Sequence, residues 1–355
     1  MRLLSVHTRE IREFYDDQTP PYAILSHTWG DDAEELTLQD ILLGEPYKEG
    51  IGIEKLRGSC TQAKAEGLDY VWIDTCCIDK TNLVELSEAI NSMYRWYQQA
   101  AVCYAFLWDV GAGQNPRDAA SDFRKSRWFR RGWTLQELLA PQRMVFYSSD
   151  WSRLGTKVKL AGLIESITGI PHPFLRAISD IRSASVAQRM SWASNRETKR
   201  KEDMAYCLLG IFGIAIPMIY GEGGEQAFIR LQEQIMKNTR DQSILAWGLV
   251  PIPTAEDPPS KPSQSLGFLA SGPSEFAGSG DIVAYDPKVS YLDLLEITRW
   301  RSPCLRIHSW FQLGQIHRRI RASQLQATEA ARPCGRNSSE EDRGDWRIIR
   351  SVCAT

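Results

Sequence analysis

The stretch YAILSHTWGDD, residues 22–32, decides how the rest of the chain is read. Tyr22 to Ser26 form a short apolar run that stops abruptly at a histidine, a tryptophan, a glycine and two aspartates. That is the pattern of a buried strand whose carboxyl end opens into a polar loop. Gly30 permits a tight turn and a close approach of a ligand to backbone. The spacing is neither GxGxxG nor a Walker loop, however, and does not argue for a phosphate cradle.

Working outward, three further runs repeat the pattern: YVWID (70–74), AVCYAFLWD (101–109) and RMVFYS (143–148). Helical patterns separate them. IEKLRGSCTQAKAEG precedes the second run, and NLVELSEAINSMYRWYQQA precedes the third. In the latter, Leu86, Ile90, Met93, Tyr94 and Tyr97 recur at helical spacing, and Asn82 with Glu85 resembles a capping pair. Strands alternating with helices of this length predict an α/β fold with a parallel sheet covered on both faces. Ligands of open α/β sheets bind outside the carboxyl ends of the strands. That edge gathers Ser26, His27, Thr28, Trp29, Asp74, Thr75, Cys76, Asp79 and Asp109.

After about residue 155 the pattern turns helical, in LAGLIESITGI, SVAQRMSWAS, KEDMAYCLLGIFGI and GGEQAFIRLQEQIMKN. Ala205, Leu208, Leu209 and Phe212 form one apolar stripe, and Phe228, Leu231 and Ile235 another. The expected organisation is an α/β core over 1–155 and a helical extension over 156–250. A Pro/Ser-rich linker with a weakly strand-like segment follows over 251–287, then a polar tail over 288–355.

Composition sets limits on function. The chain of 355 residues is 43% hydrophobic and 24% charged, with 12 Trp and 12 Tyr, a composition that disordered chains do not carry. A net charge of −2 gives no global reason to expect nucleic acid or an anionic membrane. The basic runs RKSRWFRRGW and RETKRKED read as solvated or partner-contacting faces, and nucleic acid is not the expected partner. The N-terminal MRLLSVHTREIREFYDD lacks the apolar run of a signal peptide. CLLGIFGIAIPMIYG is too short and too broken by Gly and Pro to span a membrane. A cytoplasmic protein without membrane segments is expected. The 8 cysteines show no CxxC pair and read as reduced thiols; no metal site is expected, because the His and Cys spacing offers no four-ligand set.

One stretch carries a sharper question. In RRGWTLQELLAP (130–141), a helix stopped by Pro141 would set Trp133, Glu137 and Ala140 on one face at i, i+4 and i+7. Desolvation beside the tryptophan would raise the carboxyl's pKa. Spacing alone leaves this open against a surface glutamate on a partly buried helix. His27 likewise reads either as a general base or as a hydrogen-bonded structural residue. The thiols of DTCCIDK, for which His27 is the nearest histidine partner, read either as nucleophiles or as core.

Six stretches in order resemble the fungal heterokaryon incompatibility (HET) domain family: YAILSHTWG, YVWIDTCCID, SEAINSMYRWYQQAAVCYAFL, RRGWTLQELLAP, WASNRETKRKEDMAYCLLGIFGI and MIYGEGGEQAFIRLQEQI. They cover about residues 22–250. The resemblance implies a protein of fungal self/non-self recognition whose activation leads to growth arrest or cell death, acting with protein partners or by self-association. HET domains are in turn similar to Toll/interleukin-1 receptor (TIR) domains, which implies a TIR/flavodoxin-like parallel sheet flanked by helices. Many TIR domains that cleave NAD carry a glutamate in a motif like SxWCxxEL; RGWTLQEL places Glu137 at that glutamate, with Thr134 where the motif has cysteine. The same comparison makes Ser26 and Trp29 candidate substrate contacts; Asp74 at the strand edge and Trp133 on the helix face shared with Glu137 complete the candidate set. NAD would then be a substrate, with no resident cofactor. A carboxylate there could stabilise the oxocarbenium-like ribose formed as nicotinamide leaves. A non-catalytic scaffold that recruits death effectors is the alternative.

Overall fold

A computed structural model describes residues 1–15, 18–44, 47, 49–248, 268–284 and 305–307. They fall into two units, each taken by itself here. The first runs over Met1–Ile181 and Arg196–Ala227; the second takes Arg182–Asn195 and the described residues from Phe228 onward.

The first unit is built on a seven-stranded sheet. Its strands are β1 (Arg2–Ser5), β2 (Ile11–Glu13), β3 (Tyr22–His27), β4 (Tyr70–Trp72), β5 (Val102–Phe106), β6 (Met144–Tyr147) and β7 (Arg153–Thr156), in the order β2-β1-β4-β3-β5-β6-β7. The four strands expected from sequence are all present and mutually parallel. β3 pairs with β4 (Ile24 opposite Trp72) and with β5 (Ser26 opposite Ala105), and β5 pairs with β6. Numbered among themselves they run 2-1-3-4, the order in which a flavodoxin-like sheet begins. All six residues of β3 are buried, as a strand with helices on both faces requires.

The all-parallel expectation is corrected at both edges. The β1/β2 hairpin joins antiparallel beside β4, and β7 joins antiparallel beside β6. The sheet is therefore mixed. Antiparallel neighbours need only short connections, and β2 and β7 are short with no fully buried residue, so neither carries the apolar run by which a strand is recognised.

Helices α1 (Leu38–Leu43), α2 (Ile51–Ala65), α3 (Asp74–Cys77), α4 (Leu83–Gln99) and α5 (Thr134–Leu139) lie between the strands. Asn82 caps α4 by accepting from Val84 N at 3.1 Å and Glu85 N at 3.3 Å. Glu85 does not close a capping box; its carboxylate accepts from Asp79 N at 2.9 Å and pairs with Arg2. Helices α6 (Ala161–Thr168), α7 (His172–Leu175), α9 (Asp203–Tyr206) and α10 (Leu209–Phe212) belong to the same unit as the sheet. The single helix expected over KEDMAYCLLGIFGI is two short ones, α9 and α10.

The second unit contains α8 (Val186–Ser191), most of α11 (Gly224–Asn238), and 3-10 turns at Gln242–Leu245 and Pro273–Ser279. Its core is tied by polar side chains: buried Gln232 bonds Ala270 through both carbonyl (2.8 Å) and N–H (3.1 Å), and Ser185 donates to Ile282 O at 2.5 Å. The segment expected to be weakly strand-like is mostly the 3-10 turn, followed by β8 (Ile282–Ala284). β8 pairs parallel with β9 (Leu305–Ile307). The predicted linker over 251–265 and all of the predicted tail except β9 lie outside the described residues.

Candidate functional site

Ser26 and His27 are consecutive on β3 and so point to opposite faces of the sheet. Each meets a carboxyl group at the strand's C-terminal end.

On one side Ser26 donates to Glu137 Oε2 at 2.5 Å and accepts from Trp128 Nε1 at 2.9 Å. Glu137 is 7% exposed. Local structure holds it there. Gly132 donates to Glu197 O at 2.8 Å, and a Cβ at Gly132 would stand 2.5 Å from Thr198 Cγ2, so only glycine lets this turn lie against the 196–198 segment. Thr134 donates to Trp128 O at 2.5 Å and accepts from Arg196 Nη1 at 2.9 Å. At the other end of α5, the buried Lys157 ammonium donates to Leu138 O at 2.9 Å and Pro141 O at 2.5 Å, closing the helix's free carbonyls. Burial pushes Lys157 down to about 8.

Burial likewise pushes the Glu137 carboxyl up, to about 8; the Ser26 hydrogen bond opposes the rise, the Asp74 charge adds to it, and Arg131 and Tyr97 oppose it. The Tyr97 hydroxyl donates to Leu25 O at 2.8 Å beside this pair.

On the other side His27 Nε2 lies 2.8 Å from Asp74 Oδ1, while Trp29 Nε1 (3.0 Å) and Lys80 Nζ (3.3 Å) reach Oδ2. Burial works against this carboxylate's charge, but Lys80 and His27 outweigh it and hold Asp74 well below the usual range. Burial also lowers His27, with Lys55 adding to the effect against Asp74, so the imidazole is neutral near pH 7. Its Nδ1 is buried with no hydrogen-bond partner among the described residues. Below the loop, buried Lys55 donates to Thr28 O at 3.1 Å and pairs with Glu35, which accepts from Gly30 N at 2.8 Å. The SHTWG loop is thus fixed from inside.

The candidate residues therefore separate into groups. Ser26 and Glu137 form one pair, and Trp29 and Asp74 another. Trp133 turns away from both, donating to Asp203 Oδ2 at 3.3 Å, where Tyr220 reaches Oδ1 at 3.0 Å. The tryptophan joined to Glu137 through Ser26 is Trp128. Asp109 holds the approach to α5, accepting from Ser126 Oγ at 2.7 Å and Arg127 N at 2.8 Å. Burial pushes the Cys76 thiol up and Cys77 to about 12, which leaves neither a thiolate near neutral pH. No cluster of three or more metal-ligating side chains occurs among the described residues. Tyr97, Trp128, Arg131 and Lys157 are not among the site residues expected from sequence; Tyr97 reads as part of an apolar helix stripe, Trp128 and Arg131 as part of a basic run, and Lys157 as ordinary surface.

A family model described as heterokaryon incompatibility protein (HET) matches residues 22–116. Vegetative incompatibility protein HET-E-1 of Podospora anserina is 47% identical over 236 residues, covering 65% of this chain and 17% of that protein. Over these residues the chain resembles the HET family. The matched HET segment takes in Ser26, His27, Trp29, Asp74, Lys80 and Tyr97 and ends before Trp128 and Glu137. The chain thus spans less than a fifth of the length of that Podospora protein. A second model, a domain of unknown function (DUF8212), matches residues 226–302. No solved structure matches.

Proposed function

We propose that this HET-family chain is an intracellular effector of fungal heterokaryon incompatibility, in which non-self recognition leads to cell death through cleavage of NAD at Glu137. The observation that carries the reading is the buried Glu137 carboxyl, held by Ser26 at the carboxyl end of a parallel strand and pushed up to about 8. The printed name of the Podospora relative supports the biological setting. The reading puts the protein in the cytoplasm; no helix among the described residues is long and apolar enough to cross a membrane.

The chemistry balances as a hydrolysis. The bond between ribose C1′ and the nicotinamide nitrogen breaks, its electron pair neutralises the pyridinium, and nicotinamide leaves. Water adds to the oxocarbenium carbon and gives up a proton, yielding ADP-ribose. The cationic nicotinamide ring favours the ionised form of Glu137, which then stabilises the ribosyl cation and accepts the proton from water. Ser26 fixes the carboxylate's orientation, and Trp128 fixes Ser26. With a cationic leaving group no second acid is needed.

Nicotinamide release from NAD by purified protein, with Glu137→Gln beside wild type, tests this. Release by wild type that falls by roughly a thousandfold or more in the variant supports the reading. Equal release by both proteins, or none by a folded wild type that still kills cells on expression, overturns it.

The second reading, a self-associating scaffold that recruits death effectors, is favoured by a different observation. Leu42 and Leu43 of α1 and Leu83 and Val84 of α4 are 69%, 86%, 70% and 78% exposed. A Gln39 to Asp79 hydrogen bond of 3.2 Å ties α1 to the turn before α4. Killing that survives Glu137→Gln but not polar replacement of these four residues would establish that reading instead.

A further inference from the structure

We propose that Arg131 is the phosphate anchor of this site, its guanidinium receiving the pyrophosphate oxygens of a dinucleotide. The inference rests on the NAD reading of Glu137 and names a contact that reading does not supply.

The backbone of Arg131 is held on every side. Its N–H donates to Arg127 O at 3.1 Å, and its carbonyl accepts from Arg196 Nη1 at 2.8 Å. The neighbouring Arg130 carbonyl and Gly132 N–H are both bonded to Glu197. The side chain springing from this fixed point is half-buried, yet its guanidinium makes no hydrogen bond or ion pair with any described residue. It lies 5.4 Å from the centroid of the Trp29 ring, over which Lys80 Nζ also sits at 3.6 Å.

Carboxylates are near enough for the Arg131 charge to act on Glu137 and Asp203. Each is already committed. Glu137 takes Ser26; Asp203 takes Trp133 and Tyr220; Asp74, the partner of Trp29, takes His27, Trp29 and Lys80. A planar fork of five N–H donors is thus held at the sheet's carboxyl edge with no acceptor of its own. Bidentate oxyanions match that fork, and phosphoryl oxygens are the oxyanions a dinucleotide brings. The position agrees as well: β3 and β5 flank the point where the order of the parallel strands reverses, the usual ligand site of such sheets.

Titration calorimetry with ADP-ribose, inorganic pyrophosphate and nicotinamide riboside tests this on wild type, Arg131→Ala, Arg131→Lys and Glu137→Gln, with exposed Arg153→Ala as the control. Because the Arg131 side chain makes no native hydrogen bond, its variants should melt as wild type does. ADP-ribose affinity should fall roughly ten- to hundredfold in Arg131→Ala, by the worth of charged hydrogen bonds. Arg131→Lys should keep part of it, pyrophosphate should follow the same ranking, and nicotinamide riboside should be indifferent. In turnover, KM for NAD should rise with kcat largely kept. ADP-ribose binding unchanged by Arg131→Ala, an equal loss for nicotinamide riboside, binding of pyrophosphate alone, or no binding by wild type each overturns the anchor.

The two readings fail separately. Arg131-dependent ADP-ribose binding in a protein that never releases nicotinamide upholds the anchor and removes the hydrolase. NAD cleavage with KM unmoved by Arg131→Ala does the reverse.

Discussion

Asp74 and Glu137 meet consecutive residues at the carboxyl end of one strand, His27 and Ser26, and their surroundings push them in opposite directions. Asp74 is ringed by a lysine, a neutral histidine and an indole N–H, and stays ionised. Glu137 is buried more deeply, accepts from the uncharged Ser26 hydroxyl, and holds its proton to about 8. The difference lies in what was brought to each carboxyl, since the two side chains carry the same group. A site that separates two acids in this way has assigned them different work: Asp74 organises the loop, and Glu137 is left available to change its charge.

The largest expected effect tests the proton on Glu137. Its ordinary value is 4.5 and its folded value about 8, so the folded chain keeps a proton that the unfolded chain has released between those limits. Stability therefore falls as pH rises through that window. Glu137→Gln should be more stable than wild type by roughly 2–5 kcal/mol at pH 9, with the gap closing towards pH 5 in denaturant unfolding. A gap that does not change with pH would break the contrast.

Next comes Asp74→Asn, which strands Lys80 and His27 and should cost about 2 kcal/mol at pH 7 in the same assay. The Asp74 contribution has the opposite sign with pH: present above the ordinary 3.8 and lost as pH falls through its lower folded value. The substitution also removes a charge that raises Glu137, so the pH midpoint of nicotinamide release should move down. An unmoved midpoint would mean that the two carboxyls do not sense each other. Smallest is Ser26→Ala, expected to cost about 1 kcal/mol and to drive the Glu137 midpoint further up, because a hydrogen bond to the charged form is lost and Trp128 Nε1 loses its acceptor.

Much of the sheet was legible because its parallel strands are buried on both faces and their apolar runs show it, as in Tyr22–His27. β7, with Arg153 exposed and Gly155 within it, gives no such run, and the hairpin of β1 and β2 was masked by the charges around it. Glu137 was a different case. Periodicity suggested that Trp133 and Glu137 share a face, but every residue of α5 is buried, so the helix has no solvent face for spacing to reveal. Trp133 went to Asp203, and the glutamate's partner is Ser26, which the resemblance named only as a candidate substrate contact. What sequence could not show was the assembly of the site across distance. Trp128 reaches Ser26 over 102 positions and Tyr97 reaches Leu25 over 72, and no local rule links such pairs.

Lys157 gives that assembly a schedule. Ser26 is made 111 positions before the glutamate it holds, and the glutamate's helix is closed by a lysine 19 positions beyond Leu138. As the chain leaves the ribosome, α5 emerges with its last carbonyls open, and Glu137 is an ordinary acid in water. Only when β7 has zipped onto β6 does the ammonium arrive to lock the helix. Until the sheet's last edge strand is made, the carbonyl end of α5 has no ammonium to close it.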